Sequence, residues 1–182
     1  AVHPDPEGEL AKRETRLRAE LAAAKGKDRK DIERRLEALA QRRQTYLPAL
    51  LTLRRMAADG RKVMLPLANR PIPLIADEWA DPEKATGCVK ITPAHDANDY
   101  DVGRRHNLPM VNVLSPDGTV APIVEPDGSL NPNSDRYAGL KFITDGRRRV
   151  VADLEAAGLL DHVEDHEMDV GHSDRSKTPI EP

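Results

Sequence analysis

The chain has 182 residues, 38% apolar and 32% charged, with a formal net charge of −3. That is enough apolar material for one domain with a packed core, and too little positive charge for wholesale wrapping by nucleic acid. One cysteine excludes an intramolecular disulfide framework. No apolar run reaches the ~18 residues of a membrane span and no signal-peptide pattern opens the chain, so a cytoplasmic protein without a membrane partner is expected.

Charge divides the sequence. Residues 1 to 62 hold 16 Lys and Arg against 10 Asp and Glu, while residues 63 to 182 hold 12 against 21. In the basic part, Leu10, Leu17, Leu21 and Ala24 fall on one stripe of a helix running from Glu7 to about Ala24. The polar stretch Lys25-Gly26-Lys27-Asp28 interrupts it, and Ile32, Leu36, Leu39 and Tyr46 resume the rhythm in a second helix, with Arg43 in the intervening slot. Together they predict an antiparallel helical hairpin. Pro48 is expected to end or kink the second helix, and Leu50 to Ala58 to add a further turn or two before Asp59-Gly60 stops it.

Beyond Arg61 the pattern changes to short β-type runs: Val63 to Leu67, Ile72 to Ile75, Cys88 to Thr92, Met110 to Leu114 and Val120 to Val124. Pro116-Asp117-Gly118 and Pro126-Asp127-Gly128 predict two tight turns, and the Pro, Asn and Ser cluster at 131 to 134 a loop. One helix is expected to begin at Asp96. Another should run from about Asp145 to Ala157, with Gly158 as its cap. The whole reads as an α+β body with a helical arm.

Chemistry concentrates in the run from Ala85 to Gly103, where a predicted strand delivers a polar turn into a helix. Strand alternation would put Lys90 and Thr92 on one face, with Val89 and Ile91 on the other. Pro93 biases Thr92 to extended geometry, and Asp96 suits the N-cap of the helix with Asp99 in its first turn. Taken alone, these residues also fit structural roles: Asp99 as an acid favoured by the helix dipole, Lys90 and Thr92 as solvent-facing strand residues, and His95 as a partner within the turn. Cys88 reads as a small core residue of a buried strand.

The run Thr86-Gly87-Cys88-Val89-Lys90-Ile91-Thr92-Pro93-Ala94-His95-Asp96-Ala97-Asn98-Asp99 resembles the editing-domain motif of valyl-tRNA synthetases. The likeness extends through Leu65 to Asp77, Arg105 to Pro109, Tyr137 to Leu140, Val150 to Leu160 and Ala1-Val-His-Pro4. It implies a β-barrel-like editing domain of α+β class, with flanking helices and an inserted antiparallel helical hairpin arm. The division expected is an incoming strand at 1 to 6, the arm at 7 to 60, the editing body at 61 to 172 and an outgoing linker at 173 to 182.

The resemblance also implies an activity, hydrolysis of threonine wrongly joined to valine tRNA by water attack on the aminoacyl ester. Valine and threonine are nearly isosteric, so an apolar synthetic pocket separates them only about a hundredfold, and a second hydrolytic site is the remedy. Implied site residues are Asp99 on the substrate ammonium, Lys90 and Thr92 at the ester and terminal adenosine, His95 and Asp96 orienting water, and Thr86 and Gly87 as further substrate contacts. Implied partners are the acceptor end of valine tRNA and the rest of the synthetase. Editing itself is expected to need no cofactor, and ATP and magnesium belong to the parent enzyme's synthetic domain. Relatives usually carry a threonine-rich strand before Ala-Val-His-Pro, an aromatic residue and a glycine where this chain has Lys84 and Ala85, and a paired-cysteine segment near Gly171 to Lys177; without those cysteines, no zinc knuckle is expected.

Other readings stay open. His162, His166 and His172, with Asp161, Glu164 and Asp165, have residue types suited to a metal site, although the general-base Glu expected directly after the first His is missing. A noncatalytic tRNA-binding or interaction module, built on the basic residues 1 to 62, is a second alternative, and the editing domain of an isoleucyl-type enzyme a third.

Overall fold

The computed structural model describes residues 1–165, 167 and 171–178. The chain forms two compact units, residues 1–63 with 71–91, and residues 64–70 with the chain from Thr92 onward.

The first unit is mainly helical. Asp5 begins helix α1 (Pro6–Ala23) by accepting a hydrogen bond from the Gly8 amide at 3.1 Å, with Pro6 in the first turn, where a missing N–H costs nothing. Helix α2 (Gly26–Thr45) follows after two residues. Glu14 pairs with Arg43 at 3.0 Å and Glu20 with Arg35 at 4.0 Å, so numbering rises along α1 as it falls along α2 and the two helices are antiparallel. Leu10, Leu17, Ile32, Leu39 and Leu47 form the buried core of this unit, flanked by Leu21, Ala24, Leu36 and Leu51. The predicted stripe packs except at Tyr46, which is exposed, and Leu47 takes its place in the core.

The second helix ends just before Pro48, as expected, and the segment after it is a helix of 12 residues where a turn or two was expected. Helix α3 (Leu47–Ala58) starts after the single residue Tyr46, and Pro48 sits in its first turn, where its fixed φ favours helix initiation. Gly60, at φ +66°, closes α3 with hydrogen bonds from Gly60 to Ala57 and from Arg61 to Met56, the paired bonds of a Schellman cap. Val2 is fully buried, and bridges Ala76 on one side and Cys88 on the other.

Of the five expected strands, two form: β1 (Lys62–Leu65) and β2 (Arg70–Pro73), paired in a two-stranded sheet. Cys88 to Thr92, Met110 to Leu114 and Val120 to Val124 are extended chain with isolated bridges, Val2 to Cys88, Leu114 to Val120 and Val124 to Leu130. Pro122 explains one interruption, because it has no N–H for a ladder in the middle of Val120 to Val124. Pro109, Pro116 and Pro126 punctuate the remainder.

In the second unit both Pro-Asp-Gly turns take the same form. Ser115 N–H donates to the Thr119 carbonyl at 2.9 Å, and Glu125 N–H to that of Ser129 at 2.8 Å. In each, the aspartate accepts from the following hydroxyl at 2.7 Å, Thr119 to Asp117 and Ser129 to Asp127. Helix α4 (Ala97–Arg105) follows the polar turn, and helix α5 (Arg147–Ala156) follows a π-helical turn over Phe142–Gly146 that replaces the expected α-helical start at Asp145. Gly158, at φ +67°, caps α5 with the same pair of bonds that ends α3.

Candidate functional site

The chemistry-bearing motif runs from the first unit into the second. In the first unit, Thr86 is exposed and its hydroxyl accepts from the Cys88 amide at 3.4 Å, while Gly87 is buried at φ +80°. A Cβ on Gly87 would lie 2.8 Å from Leu50 Cδ1 of α3, so both the backbone conformation and the packing call for glycine. Lys90 is exposed on extended chain, not on a paired strand face. Cys88 is exposed rather than core, its stretch pairing with Ala1 and Val2 through isolated contacts and not within a sheet; partial desolvation of the thiol pushes its pKa up, which makes it a poor nucleophile.

The turn holding these residues is gripped from α2, a feature the sequence did not signal. Arg42 donates from Nε to the Pro82 carbonyl and from Nη2 to those of Lys84 at 3.0 Å and Ala85 at 2.7 Å. Its guanidinium also stacks on Tyr46, 4.6 Å from the ring centroid.

In the second unit Asp96 and Asp99 stand at the start of α4 as expected, while Thr92 lies in the turn before it and not on a strand face shared with Lys90. The Asp96 carboxylate caps α4, accepting from the Asn98 and Asp99 amides at 2.9 Å each. Asp99, 7% exposed, turns its Oδ2 back onto the Thr92 amide at 2.7 Å. The Thr92 carbonyl accepts from the His95 amide at 3.1 Å, closing the turn. Pro93 is buried against α4 at Gly103, where a Cβ would come within 2.6 Å of Pro93 Cβ. His95 Nε2 accepts from the Val113 amide at 3.0 Å, while its Nδ1 is buried without a hydrogen-bond partner among the described residues. His95 edges an open cleft of about 690 Å³, shared with Asn112, Ser115, Leu114 and Phe142.

This arrangement sets a buried carboxylate, a histidine and a capped helix start around one turn. Such a set suits a cationic amine and a polar ester, with charge-assisted bonds supplying the stronger contacts. For the metal reading, His162 Nδ1 lies 2.8 Å from Asp161 and its Nε2 3.8 Å from Glu164, while His166 lies outside the described residues. Among the described residues no group of three or more metal-ligating side chains gathers.

Residues 14–155 match the family profile described as leucyl-tRNA synthetase, editing domain. A valine–tRNA ligase of Rhodopirellula baltica is 53% identical over all 182 residues of the chain, which span 16% of that relative's length. No helix among the described residues is long and apolar enough to cross a membrane.

Proposed function

Because the chain belongs to the editing-domain family of aminoacyl-tRNA synthetases, in its valyl branch, we propose that it hydrolyses threonine from mischarged valine tRNA. Deacylase chemistry goes with an editing domain of a ligase. The observation that carries the finer reading is the buried Asp99 carboxylate, fixed on the Thr92 amide. A carboxylate oxygen so held retains lone pairs for a second donor, and the α-ammonium of an aminoacyl ester is a donor of matching charge.

In this reading Asp99 fixes the ammonium. Lys90 offers a positive charge to phosphate or developing oxyanion, and Thr92 a hydroxyl for polar recognition. Thr86 and Gly87 contact the bound ester from the preceding turn. His95 and Asp96 orient the attacking water from the turn, His95 held there by the bond from the Val113 amide to its Nε2 and Asp96 at the helix start it caps. The pairing of α1 with α2 supports an inserted hairpin arm, and the family likeness alone supports a barrel-like editing body. Editing uses the protein's side chains and water without a cofactor, while ATP and magnesium serve the parent enzyme's synthetic domain. The partners are the acceptor end of valine tRNA and the remainder of the synthetase, in the cytoplasm.

The test is deacylation of pre-formed threonyl- and valyl-tRNA(Val) by the full-length synthetase. Threonyl ester should be cleaved and valyl ester spared. Equal rates on both would refute selection by a hydroxyl-accepting site.

A further inference from the structure

We propose that Arg42 is a positioning residue for the hydrolytic site, acting by holding the turn that presents Thr86 and Gly87. The inference rests on the reading above, in which those two residues contact the bound ester.

The turn is one that a free chain would not keep. Ala85 has φ +39° and Gly87 φ +80°, so a left-handed alanine and a left-handed glycine stand two residues apart. A non-glycine residue in that region persists where its surroundings over-determine it. Here the carbonyls of Pro82, Lys84 and Ala85 converge on one spot, and their partial negative charges would repel one another without a donor between them. The Arg42 guanidinium fills that spot and bonds all three. Local bonds add to the grip: Gly87 N–H to the Lys84 carbonyl at 2.7 Å, and Lys84 N–H to that of Asp81 at 3.1 Å. Leu50 closes the other side against Gly87.

The residue type matters. Guanidinium is a planar fork that can serve several acceptors at fixed angles, whereas an ammonium is a point charge on a flexible stem. Stacking on Tyr46, one helical turn later, holds the fork's plane. Arg42 reaches the substrate only through the turn, which separates its role from that of Asp99 or Lys90. The helical pair is thereby a buttress for the motif.

The experiment compares Arg42→Gln, Arg42→Lys and Arg43→Gln in the full-length synthetase. Arg43, which pairs with Glu14 instead, controls for removal of one charge from the same helix end. Three readouts are taken: kcat/KM for threonyl-tRNA(Val) deacylation, the rate of valylation at the separate synthetic site, and hydrogen exchange of the Gly87 and Cys88 amides. Arg42→Gln should lower deacylation roughly tenfold, speed exchange at Gly87 and Cys88, and leave valylation at the wild-type rate. Arg42→Lys should fail to restore either effect, and Arg43→Gln should resemble wild type. Unchanged deacylation in Arg42→Gln despite faster exchange would overturn the proposal, as would unchanged exchange or full rescue by Lys. Loss of valylation in both Arg42 variants would mark a general folding role and overturn it too. A wild-type enzyme that leaves threonyl-tRNA intact would instead overturn the editing reading, and the proposal with it.

Discussion

The proposed grip of Asp99 on a substrate ammonium can be separated by a single substitution from its structural place in the turn. Its carboxylate sits in the first turn of α4, where the helix dipole favours an acid, and it bonds the Thr92 amide that starts the polar turn. Asn in its place keeps the size and an acceptor oxygen for Thr92 while losing the ionic attraction to an ammonium. In Asp99→Asn, deacylation of threonyl-tRNA(Val) should therefore fall tenfold or more, a loss of at least ~1.4 kcal/mol of transition-state binding. The cost in stability should stay within about 1 kcal/mol. Asp101→Asn, on the exposed face of the same helix, should change neither. Near-normal deacylation in Asp99→Asn would leave only the helix-start role. Gly103 makes a complementary case on the other side of the turn. Gly103→Ala would drive a methyl into Pro93, so an overpacking cost of about 1 to 3 kcal/mol is expected by chemical denaturation.

Helices were more legible than strands because their signals are local. The Leu10, Leu17, Ile32 and Leu39 stripe, the Asp96 cap, and the glycines ending α3 and α5 each act within a few residues, and all occur as the sequence implied. Strand pairing depends on what lies alongside. Val120 to Val124 has the right residue types, yet Pro122 removes a ladder donor; Cys88 and Val89 bridge the chain's first two residues and not a neighbouring strand. Arg42 illustrates what local pattern cannot show, since its three acceptors lie 40 to 43 positions away along the chain. The hairpin core allows a direct test at this scale. Leu17, 2% exposed, packs between α1 and α2, so Leu17→Ala should cost 2 to 5 kcal/mol, roughly the range for large-to-small core changes, as a drop in denaturant midpoint. A change below about 0.5 kcal/mol, the size of an ordinary surface substitution, would show that the hairpin does not depend on this seam.

Across the molecule, stability should have both an acidic and an alkaline edge, set in the second unit by two polar clusters. In one, Arg70 pairs with Glu125 at 2.6 Å, and Asn131 bonds both Glu125 and the Ala68 carbonyl. Burial alone would raise the Glu125 pKa, but bonds from Asn131 and Arg70 outweigh it and hold the value below the ordinary 4.5. In the other, the Tyr137 hydroxyl donates to Asp153 at 2.8 Å, with Arg149 on the same carboxylate. That bond, followed by the Arg149 contacts, holds Asp153 below the ordinary 3.8, while burial and then the Asp153 bond push Tyr137 above 10.0. The signs differ. A lowered carboxylate contributes stability that is present above its unfolded value and lost as pH falls through the folded one; a raised phenol contributes stability present below its unfolded value and lost as pH rises through the folded one. The denaturant midpoint should accordingly be flat at neutral pH and decline both below about pH 4 and above about pH 10. Tyr137→Phe removes the phenol and its bond to Asp153 together. Its midpoint should be lower at neutral pH, its alkaline decline should lose the Tyr137 contribution, and its acid decline should weaken while retaining the Glu125 part. An alkaline limb identical in Tyr137→Phe and wild type would show that another group sets that edge.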